Sequence, residues 1–150
     1  MIQALLKQAG AAFSKGKLSI LIYHQIPREK DPMRPSEPDA KQFDWQMNLM
    51  AKYFTPLSLD EAVTRLQTGC LPRNAVCVTF DDGYKNNLEV AQPILERYGI
   101  PATVYVATGF STGYNMWNDR LIDLFAQPQL QNICLDGLEL EPIAVTDWKN

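Results

Sequence analysis

Histidine is nearly missing from this 150-residue sequence: His24 is its one imidazole. A metal centre resting on several histidines cannot be assembled from this chain alone. Cysteine is scarce as well. Cys70, Cys77 and Cys134 are odd in number and none has CxxC spacing, which argues against a disulfide framework. Cys77 lies in an apolar run and reads as a small buried hydrophobe. Basic excess is lacking too: 14 Lys and Arg stand against 17 Asp and Glu, net charge −3, with no cationic stripe. That excludes the electrostatic footprint of a nucleic-acid binder. No apolar run approaches the ~20 residues that span a bilayer, so no transmembrane segment is expected. The opening Met1-Ile2-Gln3-Ala4-Leu5-Leu6-Lys7 is broken by Gln3 and Lys7, which spoils the apolar core of a signal peptide and leaves the compartment, cell envelope or cytoplasm, undecided. Ile2 to Phe13 reads as a short amphipathic helix, open to packing on the domain or to touching a membrane surface. No glycine-rich phosphate loop appears, which disfavours phosphoryl chemistry.

What is present is the composition of an ordinary globular domain, 46% hydrophobic and 21% charged. Leu18-Ser19-Ile20-Leu21-Ile22-Tyr23 predicts a buried strand, ended by His24. The proline-rich stretch 27–38 predicts a loop, and Asp39 an N-cap. Phe43, Met47, Met50 and Phe54 recur at helical spacing, with Trp45 and Leu49 widening the stripe, and the whole face is expected in the core. Ser58-Leu59-Asp60-Glu61 predicts a capping box and Gly69 a helix end. Ala75 to Phe80 predicts a strand. Leu88 to Tyr98 predicts a helix with Pro93 in its first turn or at a break. Ala102 to Ala107 predicts a strand and Trp117 to Phe125 a helix. A hairpin is expected between Ile133–Leu135 and Leu138–Leu140, turning at Asp136-Gly137. This alternation predicts an α/β fold with a parallel sheet. Residues 1–16 are expected to be a helical extension and 17–150 the domain proper.

The chemistry concentrates in Val76-Cys77-Val78-Thr79-Phe80-Asp81-Asp82-Gly83-Tyr84, an apolar strand ending in two adjacent carboxylates and a glycine. Sites in α/β folds sit at such C-terminal strand ends. Neighbouring carboxylates repel, so keeping both ionised favours a bound cation. Side chains alternate along a strand, so one carboxylate can hold a metal while the other faces a water. The plainer reading is a turn that caps the next helix.

The wider pattern resembles the polysaccharide deacetylase family, the NodB-homology domain of carbohydrate esterase family 4. Thr79-Phe80-Asp81-Asp82-Gly83 resembles its first motif. Ile20-Leu21-Ile22-Tyr23-His24 resembles the opening strand of one branch, and Leu57-Ser58-Leu59-Asp60-Glu61 the segment before the motif. The stretch from Pro93 through Gly99-Ile100-Pro101-Ala102-Thr103 to Val106 is similar to the one after it. The resemblance runs from about Leu18 to Thr108. It implies a distorted (β/α) barrel, present here in part, and a hydrolase that removes N-acetyl groups from a GlcNAc-type polysaccharide. It implies Asp81 as general base and Asp82 as ligand to a divalent metal, zinc in most members, whose bound water attacks the acetamide carbonyl.

The family's H-S/T-x-x-H motif and its later acid and base partners are absent. The resemblance therefore implies a truncated domain, pairing with a missing C-terminal portion or with another chain. The alternative is a catalytically inactive remnant that binds glycan or a protein partner. His24 is open between lining the site and a structural role. Tyr84 is open between stacking on sugar and beginning a helix. Trp117 is open between core, with Leu121, Leu124 and Phe125, and sugar stacking.

Overall fold

The computed structural model describes Gly10 and residues 14–126, 132–133 and 143–144. The predicted helix at Ile2 to Phe13 lies outside the described residues save for Gly10. The chain divides into two compact units, one ending at Ala107 and one beginning at Thr108.

In the first unit four strands form a parallel sheet, three of them pairing with the central one. These are β1 (Ser19–Tyr23), β2 (Thr55–Pro56), β3 (Ala75–Phe80) and β4 (Ala102–Val104). β1 pairs with β3 along its length, Ser19 opposite Val76 and Tyr23 opposite Phe80. The other edge of β3 is shared: β2 takes its first residues and β4 its last. Every residue of β3 is buried. That is why its sequence is continuously apolar rather than alternating, because both faces of a parallel sheet are covered.

The helices are α1 (Ala40–Tyr53), α2 (Leu59–Gln67) and α3 (Gln92–Tyr98). On one face of β3, Val76, Val78 and Phe80 pack with Phe43, Met47 and Met50 of α1 and with Ile94 and Leu95 of α3. On the other, Ala75 and Cys77 pack with Leu57 and Ala62 of α2. Asp39 caps α1 as expected, accepting from the Gln42 N–H at 2.8 Å while Gln42 Oε1 accepts from the Asp39 N–H. Ser58 accepts from the Glu61 N–H, but the expected return bond is not made: Glu61 Oε1 takes Arg65, 2.9 Å from Nε. An ion pair one turn along the helix outcompetes a neutral backbone donor. Gly69, at φ +70°, ends α2, with Cys70 N–H reaching back to Arg65 O at 2.8 Å.

Three expectations need correction. The stripe on α1 is only partly core: Phe43, Met47 and Met50 are buried, while Trp45 is 63% and Phe54 45% exposed. The helix predicted over Leu88–Tyr98 is divided. Residues Asn87–Ala91 form a π-turn, in which the Gln92 N–H reaches Asn87 O, before α3 begins. Pro93 has no N–H and its ring crowds the carbonyl one turn back, so the turn before it widens. Nor is β1 the buried strand expected: Ile20, Leu21 and Ile22 are 47%, 39% and 62% exposed. Among the described residues the parallel sheet is open, since closure requires two neighbours for every strand and β1 and β4 each have one.

Tyr23 ties β1 to α1. Its ring lies 5.1 Å from Phe43 and 5.6 Å from Phe80, centroid to centroid. Its hydroxyl donates to Gln46 Oε1 at 2.9 Å. Burial pushes its pKa up to about 12. The folded state then holds a proton that the unfolded chain releases near the ordinary value of about 10. Stability is thus expected to be unaffected below that value and to fall as pH rises towards 12. Denaturant midpoints across pH 9–12 check this, and Tyr23→Phe should flatten that part of the profile.

The second unit contains α4 (Trp117–Phe125) and a ladder of β5 (Asn132–Ile133) with β6 (Ile143–Ala144), antiparallel, Ile133 opposite Ile143. α4 has its expected bounds, but Trp117, Leu121, Leu124 and Phe125 are exposed rather than core, Trp117 by 72%. The described partner of Ile133 is at 143–144; the expected turn at Asp136-Gly137 and strand at Leu138–Leu140 lie outside the described residues. No described helix is long and apolar enough to cross a membrane.

Candidate active site

The Asp81-Asp82-Gly83 turn is fixed from both sides by strand bonds. The Asp81 N–H donates to Tyr23 O at 2.8 Å, Tyr105 N–H to Phe80 O at 2.8 Å, and Ala107 N–H to Asp82 O at 3.3 Å. The first carboxylate therefore continues the β1 ladder, and the turn is held between β1 and the chain after β4. Asp82 leaves the strand with φ +73°. Only glycine visits that region freely, and aspartate tolerates it better than most residues. A non-glycine residue held there costs about 1–3 kcal/mol, and such strain gathers where geometry serves chemistry. Gly83 follows at φ +72°, and a Cβ there would meet Val106 Cα at 3.2 Å. Backbone conformation and close approach both demand glycine at this position.

Asp81 and Asp82 are each half-buried at the C-terminal end of the central strand. The two carboxylates leave the backbone from different conformations, Asp81 from the end of the ladder and Asp82 from a left-handed turn. One can serve a reacting proton while the other holds a cation.

The other candidates are placed as follows. His24 is exposed and, one residue beyond the Tyr23–Phe80 pair, stands level with Asp81. It lines a groove of about 700 Å³ with Lys30, Gln42, Trp45 and Gln46. Tyr84 is half-buried just before the turn of helix that leads into the π segment. It lines a separate, apolar cavity of about 430 Å³ with Leu88, Val104 and Val106. Neither cavity is lined by Asp81 or Asp82. The structure brings His24 beside the carboxylate turn through β1 but does not gather all four residues in one pocket. Among the described residues no three His, Cys, Asp or Glu side chains come together as a metal site. Trp45, Gln42 and Gln46 were not expected at a surface groove. Their i, i+3 and i+4 spacing on one helix face is the signal that finds them.

Residues 68–141 match the sequence profile of the polysaccharide deacetylase family, a span that includes the whole Asp-Asp-Gly turn. A putative polysaccharide deacetylase of Bacillus subtilis, YxkH, is 33% identical over 126 residues, 83% of this chain. The chain belongs to the polysaccharide deacetylase family. A poly-beta-1,6-N-acetyl-D-glucosamine N-deacetylase of Staphylococcus aureus is 32% identical over 97 residues, 65% of the chain. Among solved structures, the Streptococcus pyogenes deacetylase PplD, in complex with acetate, matches 71% of the chain at 28% identity and TM-score 0.55. A de-N-acetylase from Aggregatibacter actinomycetemcomitans matches 85% of the chain at 21% identity and TM-score 0.55, a likeness of fold. This chain spans 41% and 31% of the lengths of the two curated relatives, and 52% and 45% of the two solved chains.

Proposed function

We propose that this segment carries the first catalytic element of a deacetylase that hydrolyses N-acetyl groups on a GlcNAc-type polysaccharide. The observation that carries the reading is the strained Asp81-Asp82-Gly83 turn at the end of the buried central strand, within the region matched to the family. Asp81 is the general base: its carboxylate takes a proton from the water that attacks the acetamide carbonyl. The new C–O bond forms, the C–N bond breaks, and the sugar amine leaves with a proton as acetate is released. His24, one strand away, and Tyr84, next to Gly83, line the substrate's approach.

Asp82 is the ligand to a divalent cation, zinc by family. A catalytic zinc needs about three protein ligands, and the described residues supply no such set. They do not by themselves fit the metal. The same reading draws the remaining ligands from polypeptide outside the described residues, in this chain or a partner.

The test is acetate release from a β-linked N-acetylglucosamine polymer in the presence of zinc, by the chain supplied with the polypeptide that carries the remaining ligands, with Asp82→Ala as control. Release that disappears together with bound zinc in the variant is the expected result. Release that survives the substitution undiminished would overturn the metal-ligand role. Binding of the polymer without any acetate release would favour the second reading, a glycan-binding remnant, for which the missing ligand cluster speaks.

A further inference from the structure

The groove between the end of β1, the 27–38 loop and the first turns of α1, about 700 Å³, is larger than the cavity beside Tyr84, about 430 Å³. Its chemistry differs from that of its neighbour. The cavity at Tyr84 is walled mainly by Leu88, Val104, Val106, Leu95 and Ile100, with Lys85 and Glu96 also in its lining. The groove mixes one large aromatic, Trp45, with His24, Lys30, Glu37, Gln42 and Gln46. A site that takes a polar ligand with apolar faces combines a flat hydrophobic wall with a few convergent polar groups.

Trp45 projects from α1 with 63% of its surface exposed. Exposed single leucines need no explanation, but a large indole held in water on a regular helix is informative. Gln42 and Gln46 flank it at i−3 and i+1, one turn apart, and both carboxamides are pinned by their oxygens. Gln46 Oε1 accepts the Tyr23 hydroxyl and Gln42 Oε1 the Asp39 N–H. Among the described residues neither side-chain NH2 group has a hydrogen-bond partner. Two N–H donors with anchored carboxamides therefore stand one turn apart along the same side of Trp45. Their geometry is set before any ligand arrives, which lowers the ordering cost of binding. The loop wall is also preset: Lys30 Nζ donates to the carbonyls of Pro35 and Glu37 at 2.9 and 3.4 Å. The groove adjoins the carboxylates, since the carbonyl of Tyr23, one of its lining residues, accepts the Asp81 N–H.

We propose that this groove is a subsite for a chain of N-acetylated amino sugars. The C–H face of one ring lies on Trp45, and the Gln42 and Gln46 amides donate to hydroxyl or acetyl oxygens. The assignment rests on the deacetylase reading for the sugar class. It adds to that reading a direction: the polymer runs from the Asp81 turn across the end of β1 and past His24 towards α1.

The experiment titrates a β-linked N-acetylglucosamine tetrasaccharide into the Asp82→Ala chain, so that binding is read without turnover. Trp45→Ala is expected to weaken binding by roughly tenfold or more, as loss of an aromatic anchor does. Trp45→Phe should restore part of the loss, and Gln46→Leu should weaken binding with Trp45 intact. The exposure of Trp45 means that the fold should survive its removal, which circular dichroism checks. Folded chain that binds no tetrasaccharide, or an affinity changed by less than about twofold in Trp45→Ala, would overturn the subsite. So would an unchanged glycan affinity with an altered sedimentation coefficient, which makes the groove a protein interface. Acetate release from the polymer is measured separately. If it shows no dependence on Asp81 or Asp82 while Trp45 still governs glycan affinity, the deacetylase reading fails and the subsite stands.

Discussion

Asp81→Asn is expected to lower acetate release by about 10²–10⁴-fold, the span associated with losing a positioned general base. Asparagine keeps the volume and one oxygen acceptor but cannot take a proton from water. The backbone around it should not change, because the Asp81 N–H is already committed to Tyr23 O and the preceding residue is buried in β3. The substitution therefore separates chemistry from folding. With the remaining ligands supplied, bound zinc should be retained, which distinguishes it from Asp82→Ala, and thermal stability should match the parent. The informative readout is the rate at saturating polymer. A loss confined to KM would mean that Asp81 positions substrate, and near-normal turnover would remove it from the base role. Because the Trp45 groove is a separate element, Asp81→Asn should leave tetrasaccharide affinity close to that of the parent.

Much of this arrangement could be read from residue order, and the reasons are local. Ala75 to Phe80 is apolar at every position, and only a strand covered on both faces needs that. Its abrupt end in two aspartates and a glycine marks the C-terminal edge where α/β sites sit. Asp39 and Gly69 mark helix ends because their roles depend on neighbours a few residues away. What sequence order could not supply depends on groups distant in the chain. Helical spacing put Trp45 in the same stripe as Phe43, yet two residues apart is about 200° around a helix. Which of the two met β3 was decided by the sheet, not by α1. The widening of the turn before Pro93 was signalled by the proline, but the choice between a capped start and a π-turn was settled by packing of Val90 and Ala91 into the core. Glu61 fulfils the residue pattern of a capping box and spends its carboxylate on Arg65 instead. The left-handed conformation of Asp82 was hidden in a residue type that usually adopts other conformations. The partial barrel was implied by family likeness alone, and the described strands form an open sheet. The carboxylates were legible as a site, whereas the groove beside them was visible only once β1, the proline-rich loop and α1 were placed together.

The same central strand carries the second large effect. Phe80→Ala is expected to destabilise the fold by about 3–5 kcal/mol, the cost of emptying a large aromatic from a packed interior. Phe80 is 1% exposed, with its ring 5.6 Å from Tyr23 and 5.9 Å from Phe43. Those three rings join β1, α1 and β3, so the void opens where three elements meet and cannot be filled by shifting one of them. Domains of this size hold roughly 5–15 kcal/mol in total, so the loss approaches the whole reserve. The denaturant midpoint should drop sharply at an unchanged slope. A loss below about 1 kcal/mol would mean that the neighbouring rings collapse into the space. The consequence for chemistry follows from covalent connection. Phe80 O holds the chain after β4 through Tyr105 N–H, and the next residue is Asp81. A variant that remains folded at low temperature should therefore lose acetate release faster than it loses helix signal. The turn that aims the two carboxylates is anchored by the strand end that Phe80 packs into place.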